Sequence, residues 1–236
     1  MVSDNATPQV NIRVTNRYIL TGFAETDFSA LHEMATFKGF VYSVMNGRPD
    51  EHGQRIPMDI SVRNYLDKIL HLNNSGADAT YFFAIRDTKR SNKLIGSCNI
   101  RQTENAGEAV FGIFIHPEYQ DKKIARRACF VMIKHAIENL GLTSLYATID
   151  PENFRSQKLC SALGLKITDE HIHENDSAYL DEHGKKRPRL IFKASMDDMQ
   201  TALEQLRIAF EQDPDHAHSF LENLYNGDQT KNLSRG

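Results

Sequence analysis

The hydrophobic period changes twice within one short stretch of this 236-residue sequence, and that change narrows its folds more than any other feature. From 80 to 117, β-branched and aromatic residues recur in three short runs, TYFFAIRD (80–87), KLIGSCNIRQ (93–102) and EAVFGIFIHP (108–117). Turn-forming residues at 87–92 and 103–107 separate them, the pattern of an antiparallel meander. After Pro117 the spacing becomes helical: Ile124, Ala128, Val131, Met132, His135 and Ala136 fall on one face, and Asn-Leu-Gly at 139–141 ends the run. A mixed α/β (α+β) domain is expected, with helices flanking a mostly antiparallel sheet.

The remaining segments fit such a domain. Residues 1–11 are polar and read as a loose terminus, and Ile12 to Leu20 as a first strand. Thr26 or Asp27 caps a helix carrying Phe28, Leu31, Met34, Ala35 and Phe40. Residues 45–59, with Gly47, Pro49, Gly53 and Pro57, form a long loop, and helical spacing resumes over 61–72. A strand at 144–150, a short helix at 151–164 and the arms LKITDEHIHEN and PRLIFKASM of a hairpin follow. The domain is taken as 12–198. Residues 199–236 are read as an extension of two amphipathic helices, broken at DPDHAH, with a disordered tail beyond 226.

Charge and cysteine content exclude several classes. Against 31 acidic residues there are 28 Lys and Arg, a net charge of -3, so no basic excess points to nucleic acid. Cys98, Cys129 and Cys160 are odd in number and widely spaced, as expected for reduced, buried thiols of a cytoplasmic protein. The opening MVSDNATPQV has no basic region followed by an apolar one, and no apolar run has the length of a membrane span. The spacing of His171 and His173 is read as one strand face, but two ligands do not make a metal site, and none is expected.

Two segments resemble the signatures of the GCN5-related N-acetyltransferase (GNAT) family. FGIFIHPEYQDKKIARRA, starting at 111, is similar to its donor-binding strand, loop and helix; ATIDPENFRSQKLCSALGL, starting at 147, is similar to its second signature. RYILTGFAETDFSALHEM and SAYLDEHGKKRPRLIFKASM resemble the branch that acetylates ribosomal-protein N-termini and small amines. The likeness spans about 12 to 198 and implies the GNAT fold, acetyl-CoA as co-substrate and an amine acceptor.

A loop that opens a helix directs unpaired N–H groups and a positive dipole end outward, which suits a pyrophosphate. Here that loop is Gln120 to Ala125, following Phe114 and Ile115 on the strand, and it includes Lys122, Lys123 and Ile124. Lys123 stands where the family pattern has its central glycine, and Asp121 where a second is common. Lys122, Lys123, Arg126 and Arg127 offer charge to phosphates instead; alternatively they form a solvated first turn. Asn153 and Ser156 have the spacing to hold a pantetheine amide and a leaving thiolate, and by resemblance Ser156 is the candidate general acid. Both residues are also good helix caps. The Tyr used by other branches falls at Cys160.

The branch's strand Glu falls at Val110, so Glu108, two residues back on the same face, or His116 at the strand's far end is the candidate general base. Asp50, Glu51, Asp59, Glu170, Glu174 and Asp176 give the loops beside the acceptor an acidic rim, suited to a cationic amine. Two other readings use the same fold: a longer acyl-CoA or an acyl carrier protein as donor, and a regulatory protein without turnover. In the second, Met199 to Phe210 packs on a partner or a second copy; alternatively it docks onto the protein's own core.

Overall fold

The computed structural model describes residues 11–37, 56–75, 80–169 and 189–213. In chain order the first elements are β1 (Asn11–Arg13), β2 (Tyr18–Thr21), α1 (Phe28–Ala35), α2 (Met58–Ser75), β3 (Thr80–Asp87), β4 (Lys93–Gln102) and β5 (Glu108–Ile115). They are followed by α3 (Ile124–Leu140), β6 (Ser144–Ile149), α4 (Phe154–Ala162), β7 (Lys166–Asp169), β8 (Leu190–Ser195) and α5 (Met196–Glu211). Among the described residues the strands form one eight-stranded sheet in the order β1-β2-β3-β4-β5-β6-β8-β7, and only β5 and β6 run parallel. This is the expected α+β architecture, with β3, β4 and β5 as the antiparallel meander.

Three boundaries differ from the sequence reading. The first strand is two, because the Thr15 hydroxyl accepts from the N–H of Arg17 and of Tyr18 at 3.1 Å each, folding the chain back between β1 and β2. The long loop ends at Pro57 rather than 59, and α2 gains a turn at its start, with Asp59 complementing the dipole. The extension expected from 199 starts earlier. Ser195 caps α5 by accepting from the Asp198 N–H, so the helix grows out of β8 and the boundary at 198/199 falls inside its first turn.

Each face of the sheet carries a core. One is covered by α3, α4 and α5 and contains Ile100, Phe111, Ala128, Met132, Leu145 and Phe192; Met199, Leu206 and Phe210 of α5 belong to it. The apolar stripe assigned to a possible partner is therefore buried against the chain's own sheet. The other core packs Leu31 and Met34 of α1 and Val62, Leu66 and Ile69 of α2 on Phe82 and Ala84 of β3. Gly164, which closes α4, lies at φ +85, and a Cβ there would stand 2.6 Å from the Asp198 carbonyl oxygen. The Leu-Gly ending thus lets α5 lie close to the end of α4.

Phe40, most of the 45–59 loop, the hairpin tip with its histidines and acidic residues, the second C-terminal helix and the tail lie outside the described residues.

Candidate active site

The parallel pair β5 and β6 stays in register only from Glu108↔Ser144 to Val110↔Tyr146. Beyond it, β5 continues on β4 as far as Ile115 and β6 continues on β8 as far as Ile149. The two strands therefore part, leaving backbone amides and carbonyls of 111–115 and 147–149 without a ladder between them. A cleft of about 950 Å³ occupies the gap and extends to α2 on one side and to the start of α3 on the other.

At the α3 end the chain turns twice through left-handed backbone, at Asp121 (φ 60) and Lys123 (φ 58), before Ile124 opens the helix. Two non-glycine residues in that region are strained, and Asp121, Lys123, Ile124 and Ala125 all line this end of the cleft, where the first N–H groups of α3 have no intrahelical partner. The side chains are tied down: the Gln120 amide donates to the Ile115 carbonyl (2.9 Å) and accepts from Arg155 (2.5 Å). Asp121 pairs with Arg155 at 3.0 Å, and Lys123 with Asp213 at 3.0 Å. Arg126, Arg155 and Lys158 line the same end, so a basic group surrounds the helix start. Such a set fits a pyrophosphate, with no metal required to hold it. Arg155 and Lys158 were not singled out from the sequence, where their position on a short polar helix conceals which way they face.

The opposite wall is the first turn of α4. Asn153 caps that helix, its Oδ1 accepting from the Ser156 N–H at 3.1 Å. Capping and cleft lining are combined here, because the cap uses only the Asn oxygen and the Ser backbone. Cys160, one turn further, also lines the cleft, and burial pushes its thiol pKa up to about 12, so it stays protonated.

The acceptor side consists of α2 and β4. Ser97, Asn99 and Arg101 alternate toward the cleft while Cys98 and Ile100 enter the core, a period-two pattern. Asn99 lies across Gly112, where a Cβ would meet its Nδ2 at 3.0 Å. Asn64, Tyr65 and Lys68 of α2 face this ladder. Neither Lys68 nor Arg101 has an ion-pair partner among the described residues, and no carboxylate there lines this arm. Of the acidic rim only Asp59 is described, and it does not line the cleft.

Of the residues singled out for the donor, Phe114, Ile115, Gln120, Lys123, Ile124, Ala125, Arg126, Asn153 and Ser156 meet at the cleft. Lys122 does not; its ammonium donates to the Glu118 carbonyl (2.7 Å) above the Tyr119 ring. Glu108 lies outside the wall behind Val110, accepting from Asn105 at 2.7 Å and Tyr146 at 3.0 Å, with Lys193 at 3.6 Å. Those partners, Asn105 foremost, hold its carboxyl below the usual range, which weakens it as a base. His116 is buried on the far side of the strand end: Nδ1 accepts from the Glu118 N–H at 3.3 Å, Nε2 lies 3.7 Å from Glu33, and Phe37 meets the ring edge-on. Among the described residues no group of three or more His, Cys, Asp or Glu is placed to hold a metal, and no helix is long and apolar enough to cross a membrane.

Residues 17–166 match the family described as "Acetyltransferase (GNAT) domain". The chain is 36% identical to spermidine N(1)-acetyltransferase of Escherichia coli (strain K12) over 66 residues, 28% of this chain; the match spans 36% of that relative's length. Among solved structures, ribosomal-protein-S5-alanine acetyltransferase from Vibrio fischeri superposes with a TM-score of 0.59 at 18% identity, over 80% of this chain and 98% of the other. RimL, a ribosomal L7/L12 α-N-protein acetyltransferase solved with coenzyme A, gives 0.61 at 13% identity, over 80% and 99%. At such identities these neighbours show a shared fold. The family match takes in the meander, the donor loop and α4, more than half of the 236 residues, and the chain belongs to the GNAT acetyltransferase family.

Proposed function

We propose that this chain is an N-acetyltransferase that moves an acetyl group from acetyl-CoA to a primary amine by direct attack in a ternary complex. One observation carries the reading: β5 and β6 part after Val110 and Tyr146, and the left-handed loop opening α3 faces the same gap. The donor's pyrophosphate would meet the loop amides with Arg126, Arg155 and Lys158 around them, and its amide-bearing arm would pair with the unladdered strand edges. The amine nitrogen attacks the thioester carbonyl; the C–N bond forms, the C–S bond breaks, and the departing sulfur takes a proton from Ser156, which regains one from solvent. The amine's proton leaves to solvent or a water-linked base. The same reading places the enzyme in the cytoplasm, with its acyl-CoA supply.

Isothermal titration with acetyl-CoA, CoA and a longer acyl-CoA, followed by an amine screen, tests this. Micromolar binding of acetyl-CoA with amine-dependent release of CoA is expected. Preference for the longer thioester would favour the other donor class, and tight binding without turnover a regulatory role; absence of binding to any of the three would overturn the donor assignment.

Lys68 and Arg101 favour a second, narrower reading of the acceptor. With two cations and no carboxylate among its described residues, this arm suits an amine carried beside an anionic group, such as the N-terminus of an acidic peptide, better than a polyamine. The acidic rim read from the loops lies, Asp59 apart, outside the described residues. A higher kcat/KM for an acidic peptide than for spermidine is expected, and the opposite order would return the acceptor to the cationic class.

A further inference from the structure

The clamp on the donor loop comes from an element outside both family signatures. Lys123 sits at φ 58, ψ 7, the left-handed region that glycine enters freely and lysine does not. Its ammonium meets Asp213 Oδ2 at 3.0 Å, and the same oxygen accepts from Arg127 Nη2 at 3.0 Å. Lys123 alone is 65% exposed, and such a pair is weak by itself. Asp213, however, has little freedom to follow it. The Arg127 side chain is 1% exposed and lies 4.5 Å over the Phe210 ring, which in turn packs edge-on against Phe130 at 5.6 Å. Asp213 also donates its N–H to the Phe210 carbonyl. On the other side, the Arg127 N–H bonds the Lys123 carbonyl at 3.2 Å. Lys123 is therefore bracketed by a buried arginine through its backbone and by the end of α5 through its side chain.

We propose that Asp213 is a positioning residue for the donor: it holds Lys123 in the conformation that a glycine would adopt unaided, so that the end of α5 sets donor affinity. This rests on the donor site proposed above. It also implies that the Lys123 charge is neutralised by Asp213, leaving Arg126, Arg155 and Lys158 to meet the phosphates. The proposal and a simple charge argument then differ in sign. Removing the Asp213 carboxylate would free a cation and tighten donor binding if charge decided it; it loosens binding if loop geometry decides it.

The test is a double-mutant cycle on the full chain, with the acetyl-CoA Kd read by isothermal titration and kcat at saturating donor read with any accepted amine. Asp213→Asn is expected to raise Kd roughly tenfold with kcat unchanged, the scale of one strained residue released. Lys123→Gly supplies the background in which the left-handed backbone needs no clamp. In the Lys123→Gly background, Asp213→Asn should shift Kd less than about twofold, because glycine needs no clamp. Both Asp213 variants leave Arg127 without its carboxylate, so any shared loss in Tm cancels across the cycle. Wild-type or tighter binding by Asp213→Asn, or an equal loss in both backgrounds, would overturn the proposal. A wild-type chain that does not bind acetyl-CoA would overturn the donor site beneath it as well.

Discussion

Asn153 Oδ1 accepts from the backbone N–H of Ser156 at 3.1 Å, which fixes this residue in the first turn of α4 at the cleft wall, with no hydrogen bond to its own hydroxyl among the described residues. A hydroxyl held this way at the point where β5 and β6 part is available to a leaving thiolate. Ser156→Ala is therefore expected to lower kcat by about 10²-fold, the scale of losing one acid group, with the acetyl-CoA Kd nearly unchanged. Steady-state rates beside titration calorimetry check it; undiminished turnover would remove Ser156 from the chemistry.

Glu108 is expected to matter far less to the rate. Its carboxylate is taken up by Asn105 and Tyr146, Lys193 is near, and Glu108 does not line the cleft. Glu108→Gln should change kcat less than about threefold, since the amide keeps the acceptor oxygen. A loss near 10²-fold with a shifted pH profile would reinstate it as the base.

Charge reversal at the acceptor arm separates the two acceptor readings. Lys68→Glu combined with Arg101→Glu should lower kcat/KM for an acidic peptide by at least about tenfold and raise it for spermidine, with donor Kd held. Equal effects on both amines would deny the arm a role in choosing them.

Gly164→Ala is expected to destabilise the fold by about 2–4 kcal/mol, because both the left-handed backbone and the Asp198 carbonyl oppose a Cβ. Urea unfolding measures it, and an unchanged midpoint would mean that α5 yields without loss.

The Arg17–Asp87 pair predicts a dependence on pH. Arg17 bonds both carboxylate oxygens, at 2.9 and 2.6 Å, and holds the Asp87 pKa below its ordinary value. A depressed folded value means stabilisation that is complete above the unfolded pKa of about 4 and is lost as pH falls through the folded one. Asp87→Asn should cost about 2 kcal/mol at pH 7, moderated because Arg17 is 37% exposed, and its Tm deficit should shrink toward pH 3. A constant deficit across that range would show that the charge contributes nothing.

Local rules made much of the fold readable. The three strand runs of the meander, the helix ending at Gly141 and the helix after Asn153 announce themselves by period and cap, because a strand's alternation and a helix's stripe are written in neighbouring residues. Asn153 and Ser156 were legible as caps for the same reason, and as site residues only through the resemblance to the family's second signature. The break at Thr15 was not, since a hydroxyl that captures two amides interrupts a strand without changing its apolar pattern.

The sequence by itself determined which elements form and which signatures they carry, since both depend on residues close along the chain. Only the tertiary structure decided how they are used: that β5 and β6 part after one short parallel segment, that Glu108 and His116 are spent on other partners, and that Asp213 reaches Lys123 across 90 positions. Each of those facts is a meeting of groups distant in sequence. Such meetings are fixed by how the sheet and its two cores pack, and no local pattern encodes them.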